Sequence, residues 1–235
     1  MKAVIWKDWL LCKRTRMFWV VIVGVAVGYV VGASIFSSML GSGYGGVVLM
    51  LLGPCIAYIP PVLTAGLSYP NTDTTAGGLS GTLREDGTIE TVRCSGRSMA
   101  GYLMAKSVMP MIVAVMLFLP MFAYCLWGGA LPLSEAFSVP TAYALGAAVL
   151  LTFVNQQILL ATRANTAGAL HLMVLVTLIP VFAFMVLFMV VPYWAALAIM
   201  LAFGALAAAV SVTNCRRRHP NTLTSLVPTG PTASA

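Results

Sequence analysis

Four stretches of this sequence carry no Asp, Glu, Lys or Arg, and their lengths limit what the chain can fold into. They cover residues 17–72, 107–134, 136–162 and 164–215, which is 56, 28, 27 and 52 residues. A helix crosses the hydrocarbon core of a bilayer in about 20 residues. A charge at the centre of such a helix costs about 2.5–3.5 kcal/mol on the insertion scale. The two shorter gaps therefore hold one crossing each and the two longer gaps hold two each. The predicted spans are 17–40, 44–67, 107–127, 139–161, 168–190 and 192–213. A transmembrane barrel would need strands of about ten residues with alternating polarity. The continuous apolar runs at 111–119 and 181–191 do not alternate.

Composition removes the other broad classes. The chain is 60% hydrophobic and 8% charged, whereas soluble domains are about 25% charged and disordered chains are poor in apolar residues. The net charge of +7 is a matter of topology and anionic lipid rather than of nucleic acid, because all thirteen basic residues fall on one side of the six predicted spans. They are Lys2, Lys7, Lys13, Arg14 and Arg16; Arg84, Arg93, Arg97 and Lys106; Arg163; and Arg216, Arg217 and Arg218. Across the membrane the only charge is Glu135. The positive-inside rule makes both termini cytoplasmic and the protein a multi-pass component of the cell membrane. The first apolar run is too long for the core of a signal peptide and reads as an uncleaved span. The five cysteines form no C-x-x-C pair, so neither a disulfide framework nor a metal site is expected.

Three parts follow: an interfacial segment at 1–16, a six-span domain at 17–213, and a basic then disordered tail at 214–235. In the first, Trp6, Trp9 and Leu10 share a helix face, with Lys13 on the same side. This suits either an elbow helix packed beside a partner or a plain headgroup anchor. Gly24, Gly28 and Gly32 recur every four residues in span one, where a second backbone can come close, within the subunit or at a dimer seam. Pro54, Pro60 and Pro61 in span two remove backbone donors and bend the helix; Pro110, Pro120 and Pro180 repeat the theme. Asn155, Gln156 and Gln157 end span four and can bond across helices or line a cargo path. His171 has no second ligand at metal spacing.

The long polar connection at 68–106 carries the sequence Arg84-Glu85-Asp86-Gly87-Thr88-Ile89-Glu90, then Ser95, Arg97 and Ala105–Lys106 at the mouth of span three. Thr88 suits a helix N-cap with Glu90 in the first turn, and the run 99–106 leads helically into span three, so a short helix along the membrane surface is expected just before the third crossing. This pattern resembles the ABC-2 type permeases, the membrane subunits of ABC exporters, and the opening Lys7-Asp8-Trp9-Leu10-Leu11 is similar to the elbow start of their six-span members. Arg93 and Cys94 stand where that family prefers aliphatic residues, and its turn proline is missing. The resemblance implies an all-α fold of six spans with an elbow helix and a cytoplasmic coupling helix. It implies contacts to a separate ABC ATPase through Arg84, Glu85, Gly87, Thr88, Ile89, Glu90 and Arg97. It further implies a second permease copy, ATP and magnesium held by the ATPase rather than by this chain, and export of a hydrophobic or amphipathic cargo such as a peptide, lipid or drug.

Other classes fit less of the sequence. No G-x-x-x-x-G-K-[ST] run is present, so ATP hydrolysis by a P-loop is not expected of this chain. A serine protease of the membrane would need a paired Ser and His, whereas Ser211 and His171 stand on different spans. A non-catalytic immunity or scaffold protein that binds a membrane-active peptide remains the alternative to a permease.

Overall fold

The computed structural model describes residues 2–41, 43–68, 98–161 and 190–217 and the single positions 92, 96, 179, 183 and 186. Every regular element among the described residues is helical. The helices are α1 (Lys2–Arg14), α2 (Arg16–Leu40), α3 (Gly45–Cys55), α4 (Ile59–Ser68), α5 (Met99–Trp127), α6 (Val139–Ala161) and α7 (Tyr193–Arg217). A 3-10 turn at Ile56–Tyr58 joins α3 to α4. Five segments among the described residues are long and apolar enough to cross a membrane: Arg16–Leu40, Gly45–Thr64, Met99–Trp127, Val139–Leu160 and Tyr193–Arg216. Of the expected span at 168–190, only Ile179, Ala183, Val186 and Val190 are described, and each is helical; the rest lies outside the described residues.

Helix α6 is the axis of the bundle. It packs against α3, α5 and α7, while α2 lies against α3 and α5, and α1 against α4 and α5. In α6, 72% of the apolar window is buried, against 11% in α2. Small side chains permit the close approach: Ala144, Ala147 and Ala148 are fully enclosed. Opposite them Gly53 of α3 leaves room for the Ala144 carbonyl, which would stand 3.2 Å from an added Cβ. In α2 the enclosed stripe is Phe18, Ile22 and Ala33, and Val20, Val23, Val27 and Val31 face outward.

The breaks in helix follow from local chemistry. Gly41 ends α2 at φ +91°, a left-handed conformation that glycine adopts at little cost. Gly43 and Gly45 then both donate their N–H groups to the Ala130 carbonyl, at 3.2 and 2.9 Å, pinning this turn to the α5–α6 connection. A Cβ on Gly45 would lie 2.8 Å from the Ala130 carbonyl carbon and oxygen and from the Leu131 Cβ. Gly45→Ala is therefore expected to cost about 1–3 kcal/mol as an overpacked contact, read as a lower thermal midpoint in detergent.

Prolines 110 and 120 lie inside a single unbroken α5, and Pro54 lies inside α3; the interruption of helix in this part of the chain falls at Ile56–Tyr58, just ahead of Pro60 and Pro61. The run 99–106 leads helically into the third span, as expected. Ser98 caps α5 by accepting from the Gly101 N–H at 3.3 Å, and the helix runs through Lys106 without a break.

Candidate functional site

Five of the buried polar side chains, Asp8, Lys106, Ser107, Gln157 and Ser211, are drawn together near the N-terminal end of α5. Lys106 Nζ lies 2.8 Å from Asp8 Oδ1, and both side chains are more than nine-tenths buried. The two residues are 98 positions apart in sequence, so the pair ties α1 to α5. The next residue, Ser107, accepts from Gln157 Nε2 of α6 at 2.8 Å and itself donates to the Leu103 carbonyl at 2.9 Å. Ser211 of α7 donates to the Gln157 backbone carbonyl at 3.1 Å. One layer of polar contacts thus runs from α1 through α5 and α6 to α7.

Beside this layer lies a small apolar cluster separate from the main core. Met99, Tyr102 and Leu103 of α5, Leu160 of α6 and Cys215 of α7 form it, with Val4, Val92 and Val212 packed against them. Val4 belongs to α1, and Val92 comes from the polar connection that precedes α5. The ends of α1, α5, α6 and α7 therefore meet at one place, and the incoming connection touches it.

Asn155 serves the neighbouring break. In a regular helix the Ala57 carbonyl would accept from residue 61, or from residue 60 in a 3-10 turn, and both are prolines without an N–H. Asn155 Nδ2 donates to that carbonyl at 3.1 Å. The Tyr29 hydroxyl donates to the adjacent Cys55 carbonyl at 3.0 Å. A hydrogen bond between membrane helices averages about 0.6 kcal/mol, but a buried acceptor stripped of its donor costs about 1–3 kcal/mol. The second figure governs here, because residues 60 and 61, whose N–H groups would otherwise serve this carbonyl, are both prolines. Asn155→Leu is expected to lower unfolding free energy by about 1–3 kcal/mol in a detergent or lipid denaturation series.

The candidate residues from the sequence divide into three groups. Asn155 and Gln157 bond across helices as described, and the Gln156 Oε1 and Gln157 Oε1 atoms are buried without a donor among the described residues. Gly24 and Gly28 face open space, with nothing among the described residues within 4 Å of an added Cβ, while Gly32 sits 3.8 Å from Leu52 Cδ1. Arg84, Glu85, Gly87, Thr88, Ile89, Glu90 and Arg97, the residues named for ATPase coupling, lie outside the described residues.

The structure shows which side of α1 packs on the bundle. Trp6 is 62% exposed, and the side turned to the bundle carries Val4, Asp8, Trp9 and Cys12. The physical reason is Lys106, which draws Asp8 inward and sets the rotation of the helix. Burial, and then the adjacent Asp8 carboxylate, push the Cys12 thiol up to about 11, so it is protonated at neutral pH and is not a nucleophile. Sequence reading missed the Asp8–Lys106 pair, although a signal was present: Asp8 is the sole acid before residue 73, and Lys106 borders a charge-free gap.

Compared with known proteins, the chain matches no family profile, no curated protein and no solved structure.

Proposed function

We propose that the protein is the membrane subunit of an ATP-driven exporter, working with a separate cytoplasmic ATPase and a second permease copy. The observation that carries this reading is the entry to α5. The long polar connection with the Gly87-Thr88-Ile89-Glu90 run leads, through Val92, onto the shared ends of α1, α5, α6 and α7. A push on that connection reaches four helices at once, which is what a subunit driven from outside the membrane requires.

Both termini and this connection then lie in the cytoplasm, and Glu135 lies outside. The outer end is marked by Trp127, Leu133, Phe137 and Trp194, which are all exposed and suit the level of lipid headgroups. The cargo path between two copies would be largely apolar, since the outward face of α2 offers Val20, Val23, Val27 and Val31 around Gly24 and Gly28. Such a lining suits a hydrophobic or amphipathic cargo.

Two measurements test this reading. Single cysteines placed at Ser134 and Ser80, in a chain with Cys94 replaced, should react with an impermeant maleimide from outside and inside respectively; reaction of both from one side contradicts the topology. Affinity purification from native membranes should bring down a P-loop ATPase. Recovery of a membrane-active peptide in its place would favour an immunity or scaffold protein.

A further inference from the structure

We infer that the outward face of α1 is a recognition surface for anionic phospholipid headgroups, in which Trp6 stands between two flanks of bases, Lys2 with Lys13 and Lys7 with Arg14. At about 100° of turn per residue, α1 sorts into two arcs. One carries Val4, Asp8 and Cys12, which pack on the bundle. The other carries Lys2, Trp6, Lys7, Lys13 and Arg14, all of them exposed. The first arc is taken up by α4 and α5 of the same chain, so a partner of α1 meets the second.

Charge sets the sign of that partner. Among the described residues the only acids are Asp8 and Glu135. Asp8 is buried against Lys106 at 2.8 Å, and Glu135 lies in the connection beyond the far end of α5. The contact with Lys106 thus withdraws the one acid of α1 from its surface. It leaves the bases of the outward arc with no counter-charge among the described residues. Arg16 opens α2, and Arg216 follows Cys215, which shares a cluster with Val4; both arginines are exposed and extend the basic rim.

Position and Trp6 make the partner a lipid. Only Thr15 separates α1 from α2, whose charge-free run starts at Met17. The chain itself therefore carries the arc to the edge of the bilayer. Trp6 is 62% exposed, and an indole suits the headgroup level better than open water. Lysine and arginine reach phosphate from the same level, with their stems laid on apolar surface. An acidic protein would answer the charges but gives no reason for a bare indole among them. This assignment needs the membrane but not the transporter reading.

Quenching of Trp6 by brominated lipid tests it on the full chain. The liposomes are equimolar phosphatidylcholine and phosphatidylglycerol, with bromine on one lipid or the other near the headgroup end of the acyl chain. The difference between wild type and Trp6→Phe isolates the Trp6 signal. Phosphatidylglycerol should be preferred beside Trp6 by at least about fivefold, the gain of a single base at an anionic surface. Lys2→Gln, Lys7→Gln, Lys13→Gln and Arg14→Gln together should bring the preference to parity. Lys2→Arg, Lys7→Arg and Lys13→Arg together should keep it. Raising salt from about 0.1 M to about 1 M shortens the screening length from about 10 Å to about 3 Å and should weaken it. The wild-type and salt arms use none of the charge variants, so a folding defect in the Gln variant leaves the test intact. The proposal is overturned if both lipids quench Trp6 equally, if neither does, or if a folded Gln variant keeps the preference. Equal quenching, with loss of ATPase binding in the Gln variant, would assign this face to an acidic protein instead.

Discussion

Asp8→Ala is expected to lower the stability of the folded chain by about 3–5 kcal/mol, because it leaves Lys106 buried without its counter-ion. Lys106 is nine-tenths buried beside Asp8, at the border of a 28-residue charge-free run. The loss measures the stranded ammonium and not the intrinsic worth of the pair. A second variant separates the two. Asp8→Leu with Lys106→Met removes both charges and keeps similar volumes, and is expected to be neutral or more stable by up to about 4 kcal/mol. Thermal midpoints of the wild type and both variants in one detergent make the comparison. If Asp8→Ala and the double apolar variant lose stability equally, the pair contributes through packing and not through charge.

The charge-free gaps made most of the membrane architecture legible. The expected span at 139–161 coincides with α6, and 44–67 differs by one residue at each end from the α3–α4 segment. The helical lead-in at 99–106 is continuous with the third span, as the sequence suggests. What the sequence does not reveal is the partner of Lys106: a lone lysine reads as the end of an apolar run, and only the fold places Asp8 beside it. The same contact decides which side of α1 packs, Asp8 with Trp9 and Cys12, a choice that the tryptophan pattern leaves open. Hydropathy fixes which segments enter the membrane, but not which residue 98 positions away meets a buried charge. The proline break in span two was legible, whereas the amide that repairs it was open to two readings until Asn155 and Ala57 were seen together.

The second large effect belongs to the connection ahead of α5. Glu90→Lys reverses the charge expected at a helix N-terminus. Gly87→Pro fixes φ and removes a donor where the Gly-Thr pattern needs a turn. Neither touches a membrane-spanning segment, so both variants should insert as the wild type does. Each is expected to reduce the stimulation of ATP turnover, the excess over the bare rate, about 5–150-fold, the range spanned by a coupling free energy of about 1–3 kcal/mol. Bare ATPase turnover, measured without this chain, should be unaffected. Steady-state ATP hydrolysis by the reconstituted complex gives the ratio.

The central claim is that an external ATPase works through this chain by way of the segment leading into α5. The most direct measurement is ATP turnover of the purified partner ATPase in liposomes, with the wild-type chain, with Glu90→Lys, and with no chain. The account predicts faster turnover with the wild type and a return towards the bare rate with Glu90→Lys, while both chains still bind the ATPase. Equal turnover with the two chains would show that this segment does not carry the coupling. Turnover unchanged by the wild-type chain would contradict the account itself.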